Sequence, residues 1–201
     1  MIRILPIIIM ISLLLGCSTS SPTPKYFTLS SLASSKAADI SHSRSSAAVI
    51  GVGPVEIPDY LDKPQIVTRT ATNELLLSEF NLWGGSLKAD VMRVIIEDTS
   101  SFLGSEPVTI VAWRAHVPGF YRIPIYFSRL DVIPDGTVSL NAKWGIVAKD
   151  GKTIETMQES SITKPVKGKE YNDIVNAMSD VLADFSKEIA SAVKALVSKT
   201  N

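Results

Sequence analysis

Residue types that build active sites are sparse in this chain, and their spacing is explained by ordinary structure. The two imidazoles are His42, inside a Ser/Ala-rich stretch, and His116, beside the turn-forming Pro118-Gly119. Neither has acids or thiols at the spacing that gathers ligands onto a metal ion, so both read as surface or loop histidines. Gly151-Lys152-Thr153 ends like a phosphate-binding loop. The earlier glycine of that motif is absent, however, and no helical pattern follows to aim N–H groups at a phosphate. Gly51-Val52-Gly53 lies in a strand-like run and leads into Pro54, whereas a dinucleotide loop must open a helix. No Gly-x-Ser-x-Gly elbow is present, and Ser86 after Gly84-Gly85 reads as a helix cap rather than a nucleophile. The expectation is a protein that is not an enzyme and holds no metal or cofactor.

One residue does invite covalent chemistry. Cys17 is the chain's only cysteine, and it follows Arg3, an apolar run from Ile4 to Leu15, and Gly16. That run is shorter than the roughly 20 residues a bilayer-spanning helix needs and suits the hydrophobic region of an export signal. Leu14-Leu15-Gly16-Cys17 resembles a bacterial lipobox, in which the thiol takes a diacylglycerol and cleavage then leaves the cysteine as an N-acylated mature terminus. Buried methylenes contribute about 0.8 kcal/mol each, so two or three acyl chains hold a protein at a membrane almost permanently. The alternative is an ordinary secretory signal in which Cys17 is incidental. Ser18 is not an aspartate, and by analogy with enteric-type lipoproteins this favours the periplasmic face of the outer membrane.

The organisation expected is a signal over residues 1–16, a lipidated tether and Ser-rich linker over 17–47 with a short strand at 26–29, and one domain over 48–201. The chain has 201 residues, with 20 basic and 20 acidic side chains. Nothing in that balance suggests nucleic acid, which usually asks for a basic face, and lipidation of Cys17 leaves no thiol for a disulfide. The domain must be held together by packing.

Hydrophobic periodicity supplies the elements. Ala48 to Pro58 is β-branched on both faces, which suits a strand covered on both sides, with Pro54 and Pro58 at an edge or bend. Gln65 to Arg69 and Glu74 to Phe80 follow as strands, and the three read as a meander. Ser86 caps a helix to about Phe102, and Val108 to Arg114 is a further strand. Tyr121 to Ile133 changes parity near Ser128-Arg129, which predicts a bulge. Asp135-Gly136 and Asp150-Gly151 predict two-residue hairpin turns with positive φ at both residues, joining three antiparallel strands from about Tyr121 to Thr163. An amphipathic helix from Tyr171 to about Val197 ends the chain, acids early and lysines late. The fold class is α+β: an antiparallel or mixed sheet with two main helices on one face, in a single domain.

Two segments carry a resemblance. Pro58-Asp59-Tyr60-Leu61-Asp62-Lys63-Pro64-Gln65-Ile66-Val67-Thr68-Arg69 and Trp83-Gly84-Gly85-Ser86-Leu87, with an early Tyr26 to Leu29, resemble the PqiC-type (YmbA-like) lipoproteins. These are auxiliary lipoproteins of ABC-type transport systems that work with mammalian-cell-entry (MCE) proteins. Where members often have Trp-Ala-Glu-Pro-Leu, this chain has Trp83-Gly84-Gly85-Ser86-Leu87, which leaves no acid there to carry a role. The resemblance implies a non-enzymatic subunit, lipid-anchored in the outer membrane, that docks an inner-membrane-anchored MCE conduit, supports envelope integrity and can form a homo-oligomeric ring. Pro58, Tyr60, Leu61, Pro64, Gln65 and Trp83 are then the candidate partner contacts, with core packing as the competing reading for Tyr60, Leu61 and Trp83. Two other functions stay open at this point. A stand-alone lipid carrier needs a large apolar cavity between sheet and helices; a lipoprotein hydrolase needs a nucleophile beside a base, for which the two histidines are the available imidazoles.

Overall fold

The computed structural model describes residues 22–32, 48–113 and 119–200. Cys17, the signal, His42, His116, most of the linker and the end of the strand predicted to reach Arg114 lie outside them. Eight strands and two long helices follow in the order β1 (Lys25–Phe27), β2 (Ala48–Glu56), β3 (Gln65–Ala71), β4 (Glu74–Trp83), α1 (Leu87–Leu103), β5 (Val108–Ala112), β6 (Tyr121–Val132), β7 (Thr137–Val147), β8 (Ile154–Pro165) and α2 (Tyr171–Thr200). The sheet is mixed and forks at β6. One edge of β6 is paired along its length by antiparallel β7, which in turn pairs β8. Its other edge is divided, with β2 parallel to Tyr121 through Tyr126 and β3 meeting Val132. β5 extends the β2 branch; β4 and then β1 extend the β3 branch.

The predicted meander is half right. β3 and β4 form an antiparallel hairpin, but β2 pairs with β5 and β6 and not with β3. Its β-branched run is that of an internal strand with parallel neighbours, and Pro54 is accommodated where the β2/β6 register shifts between Val52 and Val55. Gly51 sits mid-strand because Trp113 crosses it: a Cβ there would lie 2.8 Å from that of Trp113. The bulge predicted in β6 is present between Phe127 and Arg129.

The two Asp-Gly turns connect the predicted hairpins by a different geometry. Only the glycines, Gly136 and Gly151, have positive φ. Asp135 Oδ1 accepts from the Thr137 N–H at 2.9 Å, and Asp150 Oδ1 from Lys152 and Thr153 at 2.8 and 2.9 Å, so each aspartate braces its turn through its side chain. These bonds, with the Thr153 hydroxyl first among them, hold the Asp150 carboxyl down at about 2.

Both helices lie on one face of the sheet, α1 over β2 and β5 and α2 over β6, β7 and β8, and they pack against each other. Val175, Met178, Val181, Leu182, Phe185, Ile189 and Val193 recur at helical spacing and are buried. Phe185 meets Phe127 and Trp144 edge-on, with centroids 5.5 and 5.9 Å apart. Trp144 donates to the Ser160 hydroxyl at 2.9 Å, and that hydroxyl donates to Glu188 of α2. A second difference from expectation concerns the linker. Leu29 and Ser31 are buried, the Ser30 N–H donates to Ser179 of α2 at 3.1 Å, and the Leu32 N–H donates to Asp98 of α1 at 2.7 Å. Residues 28–32 therefore lie in the crease between the helices as part of the folded body.

Candidate functional site

The Pro58 to Arg69 block folds back on β6 through a polar knot. The Leu61 N–H donates to the Pro58 carbonyl at 2.8 Å, closing a turn whose middle carries Tyr60. The Tyr60 hydroxyl donates to Asp131 Oδ2 at 3.0 Å. Arg69, reaching from β3, donates to the same oxygen from Nη2 at 3.0 Å and Nε at 3.3 Å, and from Nη1 to the Thr72 carbonyl at 2.9 Å. Its guanidinium also lies 5.6 Å from the Tyr60 ring centroid. Arg129 Nε stands 3.9 Å from the other Asp131 oxygen. The Asp131 side chain has no solvent exposure, so its charge is answered by cations inside the protein.

These surroundings fix the protonation of Tyr60. Burial, then the charge of Asp131 and the bond to it, push the phenol up to about 12 against the opposing pull of Arg69. It stays a neutral donor at any physiological pH and is unsuited to act as a base or nucleophile. Burial pulls Arg69 down, but the bond and charge of Asp131, with the contact to Tyr60, leave it raised above its ordinary value.

The six candidate contacts fall into two groups. Leu61, 2% exposed, and Trp83, 6% exposed, belong to the core, so neither presents its side chain to a partner. Pro58, Tyr60 and Gln65 are half-buried, and Pro64 is exposed. The Trp83 N–H donates to the Pro64 carbonyl at 2.7 Å and Gln65 pairs with Leu82, so the far end of the block is tied to β4. The side chains the loop does turn outward are Asp59, Asp62, Lys63 and Pro64.

Just beyond Trp83 lies a cleft of about 330 Å³, lined among others by Phe27, Thr28, Trp83, Ser86, Asp90 and Arg93. The Gly84 N–H donates to the Phe27 carbonyl at 2.7 Å, bringing the early strand against the tryptophan segment. Ser86 caps α1 by accepting from the Ala89 N–H at 3.4 Å. Asp90 Oδ2 accepts from the Thr28 hydroxyl at 2.9 Å and the Leu29 N–H at 2.6 Å, while Arg93 donates to the Leu29 carbonyl at 2.7 Å. Arg93 is also paired with Asp90 at 2.5 Å and Glu97 at 3.0 Å. Burial lowers its guanidinium and these acids more than compensate, leaving it raised. The sequence segments that carry the resemblance thus meet around β4 and the start of α1, where the one guanidinium of Arg93 serves both Asp90 and Glu97.

Sequence reading did not single out Asp131, Asp90 or Asp98. For Asp131 a signal exists: a carboxylate inside Leu130-Asp131-Val132, in a strand whose neighbours are apolar. For the α1 acids the signal is weaker, because exposed helix faces also carry acids.

Among the described residues no three His, Cys, Asp or Glu side chains are grouped to hold a metal ion, and no helix is long and apolar enough to cross a membrane. Comparison with curated proteins finds no match. Comparison with solved structures finds an uncharacterised protein at 17% identity and TM-score 0.71, covering 86% of this chain and 99% of that one. A Xanthomonas campestris protein of family DUF330 is similar at 12% identity and TM-score 0.63, covering 89% and 98%. Both likenesses are of fold. The family model described as the ABC-type transport auxiliary lipoprotein component matches residues 27–190, from β1 to well inside α2, and this chain belongs to that family.

Proposed function

We propose that the protein is a non-catalytic subunit of an MCE-type intermembrane lipid transport system, held at the periplasmic face of the outer membrane by acyl groups on Cys17, where it docks the transport conduit. The observation that carries this reading is the family match across β1 to α2. The geometry adds that the Pro58 to Arg69 block is fixed by Asp131 rather than left pliant, so its outward residues, Asp59, Asp62, Lys63 and Pro64, are presented without a cost of ordering the loop. Tyr60 works behind that surface. The carrier reading fares less well, because an acyl chain entering between α2 and the sheet would have to displace the packed Phe127, Trp144 and Phe185 rings.

The test is photocrosslinking in cells from Lys63, which is exposed, with the buried position Leu61 as control. Capture of an inner-membrane MCE protein at Lys63 supports docking. Capture of no envelope transport component sinks it.

A further inference from the structure

We infer that the outer edge of β4 between Glu74 and Leu77 receives an extended segment of another protein as an added strand, with apolar side chains on both faces and a lysine or arginine at its end. This goes beyond the loop contact proposed above and does not depend on it. β4 pairs with β3 on its inner edge, Leu75 lying beside Arg69, Leu76 beside Thr68 and Leu77 beside Val67. On its outer edge it pairs with β1, from Asn81 to Trp83. The register with β3 shifts between Leu77 and Leu82, and Ser78 Oγ closes the displaced segment by accepting from the N–H of Asn81 at 3.0 Å and from its Nδ2 at 2.8 Å. This bulge divides the outer edge: β1 takes the part after it, and the part before it pairs with no strand among the described residues. Every second residue there turns its N–H and C=O away from β3, which is the template an incoming strand needs.

The side chains flanking this edge point to the same occupant. Leu76 is 51% exposed and Leu77 44% exposed. Successive residues on a strand face opposite sides of the sheet, so a partner lying against one face leaves the other leucine in water. A strand in the plane of the sheet brings side chains to both. The chain's own tether does not fill the place. Continued back from Lys25 beside Asn81, the parallel register sets Pro24 by Phe80 and Pro22 by Ser78, and proline has no N–H to give to the ladder. Charge argues against a second copy. Glu74 to Trp83 holds two acids and no base, so two such edges laid together bring only like charges into contact. Glu74 accepts a 2.6 Å bond from the Thr70 hydroxyl, whereas Glu79 is exposed and forms no ion pair among the described residues. A basic group at the end of the incoming strand answers it. β8, at the margin of the other branch, carries Glu155, Glu159, Lys164 and Pro165, residues that discourage strand addition. The free part of β4 has neither lysine nor proline.

The test is an NMR titration of the full-length protein, in detergent micelles, with a short capped peptide of central valines and a lysine at each end. Saturable shifts at the amides of Glu74 to Leu77, with none along β8, are expected at millimolar peptide. N-methylation of alternate peptide residues separates pairing from adsorption: methyls on one edge of the peptide strand should abolish binding, and methyls on the other edge should leave it. Leu76→Thr and Leu77→Thr should each weaken binding, and an effect of only one would mean a one-sided contact and overturn the inference. Glu79→Lys should weaken it about threefold, the size of one cross-strand charge pair, and equal affinity overturns the basic character assigned to the partner. Three further results overturn strand addition while leaving the loop contact standing: no saturable shift at these amides, binding that survives both methylated forms, or concentration-dependent shifts there without peptide, which would mean a second copy.

Discussion

The two branches that share β6 are stabilised by different physics. On the β7–β8 side, α2 lays an apolar stripe across the sheet, and Phe127, Trp144 and Phe185 fill the space with rings in edge contact. On the β3–β4 side, the end of β6 meets Tyr60 and Arg69 instead, and a buried carboxylate holds strand and loop together. Apolar packing tolerates small shifts because it is non-directional. A buried charge does not, because each displaced bond leaves a desolvated group behind. The Pro58 to Arg69 loop, which carries the sequence resemblance, is thus attached by the more exacting of the two devices.

Substitutions can break or sharpen this contrast. Phe185→Ala removes the ring shared by Phe127 and Trp144 and is expected to cost about 3–5 kcal/mol in urea unfolding, with loss throughout the molecule. Asp131→Ala leaves Arg69 without its partner and is expected to cost about 3 kcal/mol. Its hydrogen-exchange signature should differ, with loss of protection concentrated in residues 58–72. Replacing Tyr60, Arg69 and Asp131 together by Phe, Met and Leu should cost less than Asp131→Ala alone; an equal or larger cost would mean that the charges themselves, and not their pairing, stabilise this end.

Tyr60→Phe deletes one bond to a charged acceptor and is expected to cost about 1.5–3 kcal/mol at neutral pH. Because folding raises the phenol from 10 to about 12, its contribution is fully present below pH 10 and is lost as pH rises through about 12. The difference between the wild-type protein and Tyr60→Phe should therefore narrow between pH 10 and 12, and a constant gap would refute the assigned bond. The smallest effect is expected from Ser86→Ala, about 1 kcal/mol from the lost α1 cap, measured by thermal unfolding.

What could be read from residue order follows the range of the interactions. The β6–β7–β8 hairpins, the bulge near Ser128, the Ser86 cap and the α2 stripe are local patterns, and all are present in the structure. The partner of β2 was not readable in that way. Its run from Ala48 showed that both faces are covered, but the choice of β5 and β6 over β3 is decided by chain more than fifty residues away. Tyr60, Leu61 and Trp83 were singled out for their type and their place near turns; only the assembled structure shows Leu61 and Trp83 turned into the core and the Tyr60 hydroxyl spent on Asp131. The Ser-rich composition after Leu29 hid the docking of residues 30–32, which depends on acceptors supplied by α1 and α2.

The division of one β6 edge between two strands also governs the order in which the protein can assemble. A chain delivered from its N-terminus reaches residue 113 with the local β3–β4 hairpin and the long-range β2–β5 pair available to it, and neither branch has its common neighbour until residues 121–132 arrive. Closing such distant pairings is slow relative to forming helices and hairpins. A polypeptide of this topology therefore can join its two branches into one sheet only after more than half of its length is available.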